Sequence, residues 1–206
     1  MSVSRPYKLG LTGSIGMGKS TTTRMFAEEG VPVWDADAAV HRLYDRGGAG
    51  VAPIARIVPG AIADGLVDRG NLKHEIAAKP ELLAQIEAVI HPLVAQDRAD
   101  FINRHLHHPV LVFDIPLLFE TSADAVMDGI VVVTAPAEVQ KDRVLARPGM
   151  TEAHFARILS RQVPDDEKRK RADFLIETHK GLDHARDEVR KILRRLSKEG
   201  EEPTNA

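Results

Sequence analysis

Several residue types and patterns are scarce or missing in this chain of 206 residues. Cysteine is absent, which excludes disulfide bonds and any zinc or iron–sulfur site that depends on thiolate ligands. Aromatic residues make up only 4% of the chain, so there are few platforms on which nucleic-acid bases could stack. A formal net charge of −2 lacks the basic excess that binds a phosphate backbone. The composition therefore argues against a disulfide scaffold and against a nucleic-acid partner.

Long apolar runs are also missing. No uninterrupted apolar segment approaches the roughly 18–20 residues that span a bilayer, and residues 1–7 lack the apolar stretch of a signal peptide. An apolar fraction of 43% is nevertheless typical of a globular protein. We therefore expect a cytoplasmic protein without a membrane partner. We also expect it to act as a monomer and to end in a flexible tail over residues 199–206.

Short apolar runs alternate with helical patterns along much of the chain. Each run has the length and the β-branched content of a buried parallel strand. The five runs cover residues 8–12, 31–35, 110–114, 130–134 and 174–177. Strands that alternate with helices predict an α/β fold in which a parallel sheet is flanked by helices.

The alternation of strands and helices stops between residues 45 and 108. This stretch has glycine and proline pairs and a long helical pattern over residues 80–105, but no clear strand. A second interruption, at residues 147–171, is rich in arginine and lysine, which suits a lid that closes over phosphates. We therefore predict a nucleotide-binding core, a helical substrate-side insertion and a lid. These parts cover residues 7–44 with 109–146 and 172–198, residues 45–108, and residues 147–171.

Residues 13–20 read GSIGMGKS and fit the pattern G-x-x-x-x-G-K-[ST] of a phosphate-binding loop. The glycines Gly13, Gly16 and Gly18 allow the backbone to curl and direct several N–H groups at one anion. The helix that is predicted to follow adds the positive potential of its N-terminus. The segment therefore predicts a site for the phosphates of ATP or GTP.

Two side chains within this loop carry further chemistry. Lys19 supplies a positive charge for the β- and γ-phosphates, and Ser20 supplies a hydroxyl ligand for Mg²⁺. The pattern lies between an apolar run and a helical pattern over residues 20–29, in which Met25 and Phe26 are the expected core contacts. Because strand, glycine loop and helix occur in the required order, a coincidental glycine-rich turn is the weaker interpretation.

Two aspartates, Asp35 and Asp37, end the second apolar run. Ligands of open α/β sheets bind at the carboxyl ends of strands, and residues two apart on an extended backbone point the same way. One carboxylate could accept the proton of an attacking hydroxyl while the other orients it or holds Mg²⁺ through water. The alternative is that Asp37 only caps a helix that begins at Ala38.

A third aspartate, Asp114, ends the apolar run at residues 110–114. This is the usual form of the second nucleotide-binding motif, in which the aspartate reaches the metal shell. Capping of the next segment is the alternative. The apolar segment that follows is either plain core or the floor of a substrate pocket, to which Leu117 and Glu120 would contribute.

Basic residues and histidines supply the remaining candidates. Gln140, Arg143 and Arg147 have the spacing of one helix face, and an arginine there could stack on adenine or pair with phosphate. The basic run at residues 168–171 is more typical of a solvated surface. His91 precedes a proline that should kink or restart the long helix. His91 could contact substrate or only bond a freed carbonyl, and both readings stay open.

Taken together, these motifs resemble the dephospho-CoA kinase family, which adds the 3′-phosphate in the last step of coenzyme A synthesis. The matching pieces occur in the family's order and extend over residues 7–195. They are residues 11–21, Asp35-Ala36-Asp37 with His41, residues 64–69 with Leu72, His91-Pro92, Asp114 with residues 116–120, Gln140, Arg143, Arg147, Gln162 and Ala172-Asp173.

The resemblance implies ATP-dependent phosphorylation of the ribose 3′-hydroxyl of dephospho-CoA, with Mg²⁺ as cofactor. The family's catalytic base falls on Asp37, and Lys19 is the second expected catalytic residue. The expected nucleotide contacts are Gly13, Gly16, Met17, Gly18, Lys19, Ser20, Thr21, Arg143 and Arg147. The expected substrate contacts are Asp37, His91, Leu117 and Glu120, and the expected metal contacts are Ser20 and, through water, Asp114.

Other nucleotide-binding classes are the rival interpretations. A shikimate kinase would share the acid pair, but the chain lacks the later glycine triplet of those enzymes. A GTPase switch would carry an Asn/Thr-Lys-x-Asp guanine reader, which the sequence also lacks. A transporter ATPase would place a glycine pair beside residues 159–162, and none is present. The sequence therefore favours a small-molecule kinase over a switch or a transporter.

Overall fold

The computed structural model describes residues 5–199. The strands are β1 (Tyr7–Thr12), β2 (Val33–Asp35), β3 (Ile62–Ala63), β4 (Leu66–Val67), β5 (Val110–Asp114), β6 (Gly129–Thr134) and β7 (Phe174–Glu177). The helices are α1 (Lys19–Glu28), α2 (Ala36–Tyr44), α3 (Val51–Ile57), α4 (Arg69–Ala78), α5 (Leu82–Arg104), α6 (Ala137–Leu145), α7 (Glu152–Leu159), α8 (Asp165–Lys170) and α9 (Leu182–Glu199). Nearly all of the predicted tail lies outside the described residues.

The five predicted strands are confirmed as β1, β2, β5, β6 and β7. Strands β5 and β7 have the predicted bounds, and β1 and β6 each begin one residue earlier. Strand β2 begins at Val33 instead of residue 31. Pro32 explains this difference because it has no N–H and contributes only its carbonyl, which accepts a hydrogen bond from the N–H of Val112 at 3.0 Å.

These strands form one sheet in the order β2-β5-β1-β6-β7. Strand β1 pairs in parallel with both β5 and β6, and β6 pairs in parallel with β7. Leu9 lies opposite Val112 on one side and opposite Gly129 on the other. Because β1 is central, the loop that follows it begins in the middle of the carboxyl edge, where α/β sheets bind ligands.

One face of the sheet packs under α1 and α9. Its core consists of side chains that alternate along the strands, with two helices laid across them. The buried members are Leu9, Leu11, Val110, Val112, Val131, Val133 and Ile176 from the strands, Met25 and Phe26 from α1, and Ala185, Val189, Ile192 and Leu196 from α9. The predicted core contacts of α1 and the predicted docking of the last helix on the sheet are confirmed.

The chain divides into two compact units. One contains the described residues up to Trp34 and those from His105 onward, and the other is Asp35–Arg104. The second unit has its own apolar core, which includes Ile54 on α3, Leu72 on α4 and Ile90 on α5. The division into a core, an insertion and a lid with the boundaries given above stays a prediction.

The second unit differs from the sequence expectation at two places. A small antiparallel pair, β3 and β4, lies where no strand was expected. Asp64 and Gly65, with φ values of 50° and 77°, form the tight turn that joins the two strands. The expectation was wrong because two-residue strands are too short to produce a periodic pattern. Helix α5 also continues through Pro92 without restarting.

We expect the substitution Phe26→Ala to lower the free energy of unfolding by about 3–5 kcal/mol. Phe26 is fully buried between α1 and the sheet, so truncation leaves a cavity that the strands cannot fill. Urea denaturation measures the change. Leu182→Ala is the matched control, because Leu182 is 64% exposed and its truncation should change the free energy by less than about 0.5 kcal/mol. Equal effects of the two substitutions would contradict the packing described here.

Candidate active site

The loop between β1 and α1 depends on its three glycines. A Cβ atom on Gly13 would lie 2.3 Å from Cγ2 of Val133 on β6. A Cβ on Gly16 would lie 2.5 Å from Cγ2 of Val144, and Gly16 and Gly18 also have φ values of 79° and 91°. Left-handed backbone and such close approach both require glycine. At these glycines the loop therefore lies against the sheet and α6 with no room for a side chain.

Met17 anchors the same loop in the core. Its side chain is 2% exposed, and its Sδ accepts a hydrogen bond from the N–H of Ala135 at 3.1 Å, just beyond β6. The side chain thus packs inward. Any contact of Met17 with a nucleotide falls to its backbone, as is usual in a phosphate-binding loop.

Two glutamines hold the Ile15 backbone. Nε2 of Gln140, on α6, donates to the carbonyl oxygen of Ile15 at 2.7 Å. Oε1 of Gln162, just after α7, accepts from the N–H of Ile15 at 3.1 Å. Both polar groups of one loop residue are therefore fixed by side chains that lie more than a hundred positions later in the chain.

Arg143 and Thr178 hold the loop at Met17. The Thr178 hydroxyl donates to the carbonyl oxygen of Met17 at 2.8 Å. Nη1 of Arg143 donates to this hydroxyl at 2.9 Å, and Nη2 donates to the Thr178 carbonyl at 3.1 Å. Arg143 thus lies beside the phosphate loop, as predicted for a nucleotide contact, but its guanidinium is bonded to Thr178.

Arg147 does not share the helix face of Arg143. Helix α6 ends at Leu145, and Arg147 is an exposed residue whose N–H bonds the Val144 carbonyl at 3.1 Å. The expectation of a single face is wrong here because Pro148 disfavours helical backbone at the residue before it. A nucleotide contact by Arg147 stays a prediction.

Lys19, Thr23 and Asp114 meet at the carboxyl edge of the sheet. Nζ of Lys19 forms an ion pair with Oδ1 of Asp114, whose residue is 3% exposed. The Thr23 hydroxyl lies 2.6 Å from Oδ2 of Asp114 and donates to it. Both oxygens of Asp114 are therefore held from α1. Asp114 therefore lies beside the phosphate loop, and its contact with a metal ion stays a prediction.

Asp35, and not Asp37, caps α2. The Asp35 carboxylate accepts the N–H of Ala38 at 2.9 Å, and the helix begins at Ala36. The capping alternative for Asp37 is therefore wrong. The expectation of two carboxylates on one extended strand is also wrong, since Asp37 is an exposed residue in the first helical turn. An acid is favoured there by the helix dipole.

In the same unit, Arg69, in the first turn of α4, contacts the ring of His41 on α2. This contact joins two of the motif pieces quoted above. His91 lies exposed on α5 directly before Pro92, which still frees one helix carbonyl because it has no N–H. Its predicted contact with substrate stays a prediction.

Glu120 is held by the segment that follows α7. Its Oε1 accepts the N–H of Val163 at 2.8 Å and lies 2.8 Å from Nζ of Lys168. Burial alone would raise the pKa of Glu120, but the hydrogen bonds from Lys168 and from backbone N–H groups outweigh it and hold that pKa below its ordinary value. Leu117, by contrast, is 42% exposed.

Lys168 is the exception to the expected solvated surface of the basic run, whose other residues, Arg169, Lys170 and Arg171, are exposed. Its side chain is fully buried against Glu120. Arg171, at the other end of the run, lies with Cζ 4.1 Å from the centroid of the Phe119 ring and pairs with Asp124. The run therefore fastens α8 to the segment after β5, and a charge pattern cannot reveal which lysine is turned inward.

Residues 5–199 lack two features that would indicate another class of site. No helix in this range is long and apolar enough to cross a membrane. No group of three histidine, aspartate or glutamate side chains there has an arrangement that could hold a metal ion. Lys19, Asp114 and the glycine loop remain the chemically distinctive cluster.

A model of the dephospho-CoA kinase family matches residues 7–184. This chain belongs to the dephospho-CoA kinase family. The dephospho-CoA kinase of Cereibacter sphaeroides is 57% identical to it over 189 residues, which are 92% of this chain and 95% of that one. The dephospho-CoA kinase of Ruegeria pomeroyi is 55% identical over 190 residues, again 92% and 95% of the two chains. The family indicated by the motifs is thereby confirmed.

Two solved structures share the fold of this chain. The protein TT1252 from Thermus thermophilus superposes with a TM-score of 0.82 at 33% identity, over 93% of this chain and 98% of that one. A shikimate kinase from Acinetobacter baumannii superposes with a TM-score of 0.53 at 21% identity, over 96% of each chain. The second likeness concerns the fold alone, and the predicted α/β fold of P-loop type is confirmed.

Sequence reasoning missed Thr23 and Thr178 as neighbours of the family's phosphate loop. Thr23 could have been found, because it lies four residues after Lys19 and hence on the same face of α1. Thr178 carried no such signal. It reaches the loop only because β7 lies beside β6 in the sheet.

We expect Glu120→Gln to lower the free energy of unfolding at pH 7 by about 2–3 kcal/mol, because it leaves the buried Lys168 ammonium without its anion. The loss should shrink as the pH falls. The folded-state pKa of Glu120 lies below its ordinary value of 4.5, so its stabilisation is complete above that value and disappears as the pH drops through the lower, folded-state pKa.

Urea denaturation of wild type and variant between about pH 3 and pH 7 measures this difference. Glu152→Gln is the control, because Glu152 forms an exposed ion pair with Lys141 and should change stability by less than about 0.5 kcal/mol. A loss for Glu120→Gln that stays constant over the whole range would contradict the ion pair.

Proposed function

We propose that this protein transfers the γ-phosphoryl group of ATP to the ribose 3′-hydroxyl of dephospho-CoA, giving coenzyme A and ADP. The observation that carries this is the match to the dephospho-CoA kinase family over residues 7–184. The site geometry supports it, since Lys19 and a glycine loop flank a buried aspartate at the sheet edge. This is the arrangement that phosphoryl transfer requires.

Charge neutralisation falls to the phosphate loop and Lys19. The loop N–H groups and the N-terminus of α1 bind the phosphate oxygens. The ion pair with Asp114 holds the Lys19 ammonium beside the glycine loop. A bound γ-phosphate competes with the Asp114 carboxylate for this ammonium. The developing negative charge of the transition state is then met by groups that need little reorganisation.

The residues present fit a magnesium ion. Asp114 and Ser20 offer oxygen ligands, the type that Mg²⁺ prefers. Asp114 is held by Lys19 and Thr23, and Ser20 lies between these two in the first turns of α1. When bound, Mg²⁺ neutralises charge on the β- and γ-phosphates. We assign Ser20 as a direct contact and Asp114 as a contact through water.

Asp37 is proposed as the base that receives the proton of the 3′-hydroxyl. Asp35 makes the cap of α2, so the Asp37 carboxylate is not required for the start of that helix. Its position is the family's base position in the Asp-Ala-Asp motif. The exposed side chains of His91 and Leu117 are proposed as contacts to the acceptor. Glu120 is also proposed as a contact to the acceptor, since its Oε2 is buried and has no hydrogen-bond partner among the described residues, whereas Oε1 is bonded.

We further propose that residues 147–171 act as a lid that excludes water during transfer, because water competes for the phosphoryl group. Arg143 and Arg147 are the proposed arginine contacts to the nucleotide. We also propose that the protein acts as a monomer. The proposed location is the cytoplasm, where ATP and a reducing environment suit a chain without cysteine.

An ADP-release assay tests the proposed reaction. Purified protein with ATP and Mg²⁺ is offered dephospho-CoA, shikimate, AMP or CMP in parallel. ADP should form with dephospho-CoA, and the product should co-elute with coenzyme A and not with its 2′-phosphate isomer. Equal or faster turnover of shikimate would favour the shikimate kinases that share the fold, and absence of ADP with every acceptor would reject a small-molecule kinase.

We expect Lys19→Ala to weaken ATP binding and to lower kcat/KM by about 10²–10³-fold, because it removes a positive charge aimed at the phosphates. Calorimetric titration with ATP and the ADP-release assay measure the two effects. Lys141→Ala is the control, since Lys141 pairs with Glu152 on the surface and should leave both values unchanged. Unaltered ATP affinity in Lys19→Ala would contradict the assignment of Lys19.

We expect Asp37→Asn to lower kcat by about 10²–10⁴-fold, since an amide cannot accept the hydroxyl proton. ATP affinity should stay within about twofold of wild type, because the proposed role concerns the acceptor. Asp45→Asn serves as control, as Asp45 is an exposed residue at the end of α2. A parallel loss of ATP binding in Asp37→Asn would count against its role as base.

A further inference from the structure

Two carbonyl groups of the phosphate loop accept hydrogen bonds from side chains elsewhere in the chain. The inference drawn from these bonds concerns the binding of nucleotide phosphates and rests on the proposed use of ATP. We propose that Gln140 and Thr178 are positioning residues for the nucleotide phosphates. Each holds the carbonyl oxygen of one loop peptide and thereby turns the N–H of the same peptide towards the phosphate. The two peptides are Ile15–Gly16 and Met17–Gly18.

Peptide geometry provides the first step. The peptide bonds of the described residues contain no cis form, and in a planar trans peptide the C=O and N–H vectors point in opposite directions. Gln140 Nε2 lies 2.7 Å from the Ile15 carbonyl oxygen, and Thr178 Oγ1 lies 2.8 Å from that of Met17. The N–H group of Gly16 therefore points away from Gln140 on α6, and that of Gly18 points away from Thr178, which follows β7.

The Thr178 hydroxyl can hold its carbonyl because its own orientation is fixed. A hydroxyl has one proton to donate, and the Met17 oxygen at 2.8 Å is a better acceptor than the Thr134 oxygen at 3.4 Å. Arg143 occupies the acceptor side of the same hydroxyl at 2.9 Å and also binds the Thr178 carbonyl. Because Arg143 donates to the Thr178 hydroxyl oxygen, the proton of that hydroxyl remains directed at the carbonyl oxygen of Met17.

Gln140 is fixed in a comparable way. Its side chain is 6% exposed on α6, so solvent offers little competition for its amide. The N–H of Ile15 donates a hydrogen bond to Gln162. This bond restrains the backbone of Ile15 on its N-terminal side. The buried Gln140 side chain holds the carbonyl oxygen of Ile15, and Gln162 holds its N–H. Together they fix the orientation of the Ile15–Gly16 peptide.

The same elements also limit where the loop can move. A Cβ on Gly16 would lie 3.1 Å from the Gln140 carbonyl oxygen, and a Cβ on Gly18 would lie 3.1 Å from the Thr178 side chain. Gln140 and Thr178 therefore each restrain the loop twice, by a hydrogen bond to one residue and by close packing against the glycine that follows it. Donors that are aimed before the anion arrives need no reorganisation on binding, which is the source of their affinity.

Titration of MgADP by calorimetry tests the role of Thr178. Thr178→Val keeps the shape of the side chain but removes its hydrogen bonds, and it should raise the Kd for ADP about three- to tenfold, the equivalent of one hydrogen bond. Thr178→Ser retains the hydroxyl and should stay within about twofold of wild type. In turnover, KM for ATP should rise in Thr178→Val while KM for dephospho-CoA stays unchanged.

Thr121→Val is the matched control, because the Thr121 hydroxyl also donates to a backbone carbonyl, that of Leu117 at 2.8 Å. It should leave the Kd for ADP unchanged. Gln140→Met removes the donor to Ile15 at nearly constant volume and should raise that Kd about three- to tenfold. This variant keeps the proposal testable if Thr178→Val does not fold.

Two outcomes would overturn the proposal. Wild-type affinity for ADP in Thr178→Val or in Gln140→Met would show that the held carbonyls do not matter. Equal weakening by Thr178→Ser and Thr178→Val would assign the effect to packing on Gly18 instead of the hydroxyl. Because ADP binding needs no acceptor, a wild-type protein that fails to phosphorylate dephospho-CoA would reject the proposed function without affecting this test.

Discussion

The structure depends on the close approach of the backbone at residues 13–18 to the sheet and to α6. A Cβ atom at Gly13 would overlap Val133, and one at Gly16 would overlap Val144. Because no side chain fits at these two glycines, the loop cannot fix them by packing in the way that it fixes Met17. Its conformation is set by groups elsewhere in the chain that bond its peptide units, and the phosphate site exists only as part of the folded sheet.

Buried charge imposes a second constraint around the same sheet edge. Asp114 is nearly inaccessible and Lys168 fully so, and each faces an opposite charge, Lys19 in one case and Glu120 in the other. An unpaired ion at either position would cost several kcal/mol. Asp165 also binds the Thr134 hydroxyl at 2.6 Å, so the segment after α7 is tied to the strand ends by polar contacts at several points.

The strands and the phosphate loop could be predicted because their signals are local. Apolar runs gave the five sheet strands, and the spacing of Gly13, Gly18 and Lys19 identified the loop. Errors arose where a local pattern had more than one solution. Asp35 and Asp37 are two residues apart, and only the position at which α2 begins decides that Asp35 caps it. In the same way, Pro148 ended α6 before Arg147 could join the face of Arg143.

The sequence by itself determined the α/β class, the family and the chemical groups at the phosphate loop, because each is encoded by residue type and by spacing along a short stretch. Only the tertiary structure decided that Lys168 is buried on Glu120, and that Gln140, Gln162 and Thr178 hold the loop backbone. The physical reason is that these contacts join positions brought together by strand order. Gln140 and Gln162 belong to the motif pieces, but a motif does not say which backbone group a side chain will bond, and Thr178 and Lys168 have no pattern that distinguishes an anchor from a surface residue.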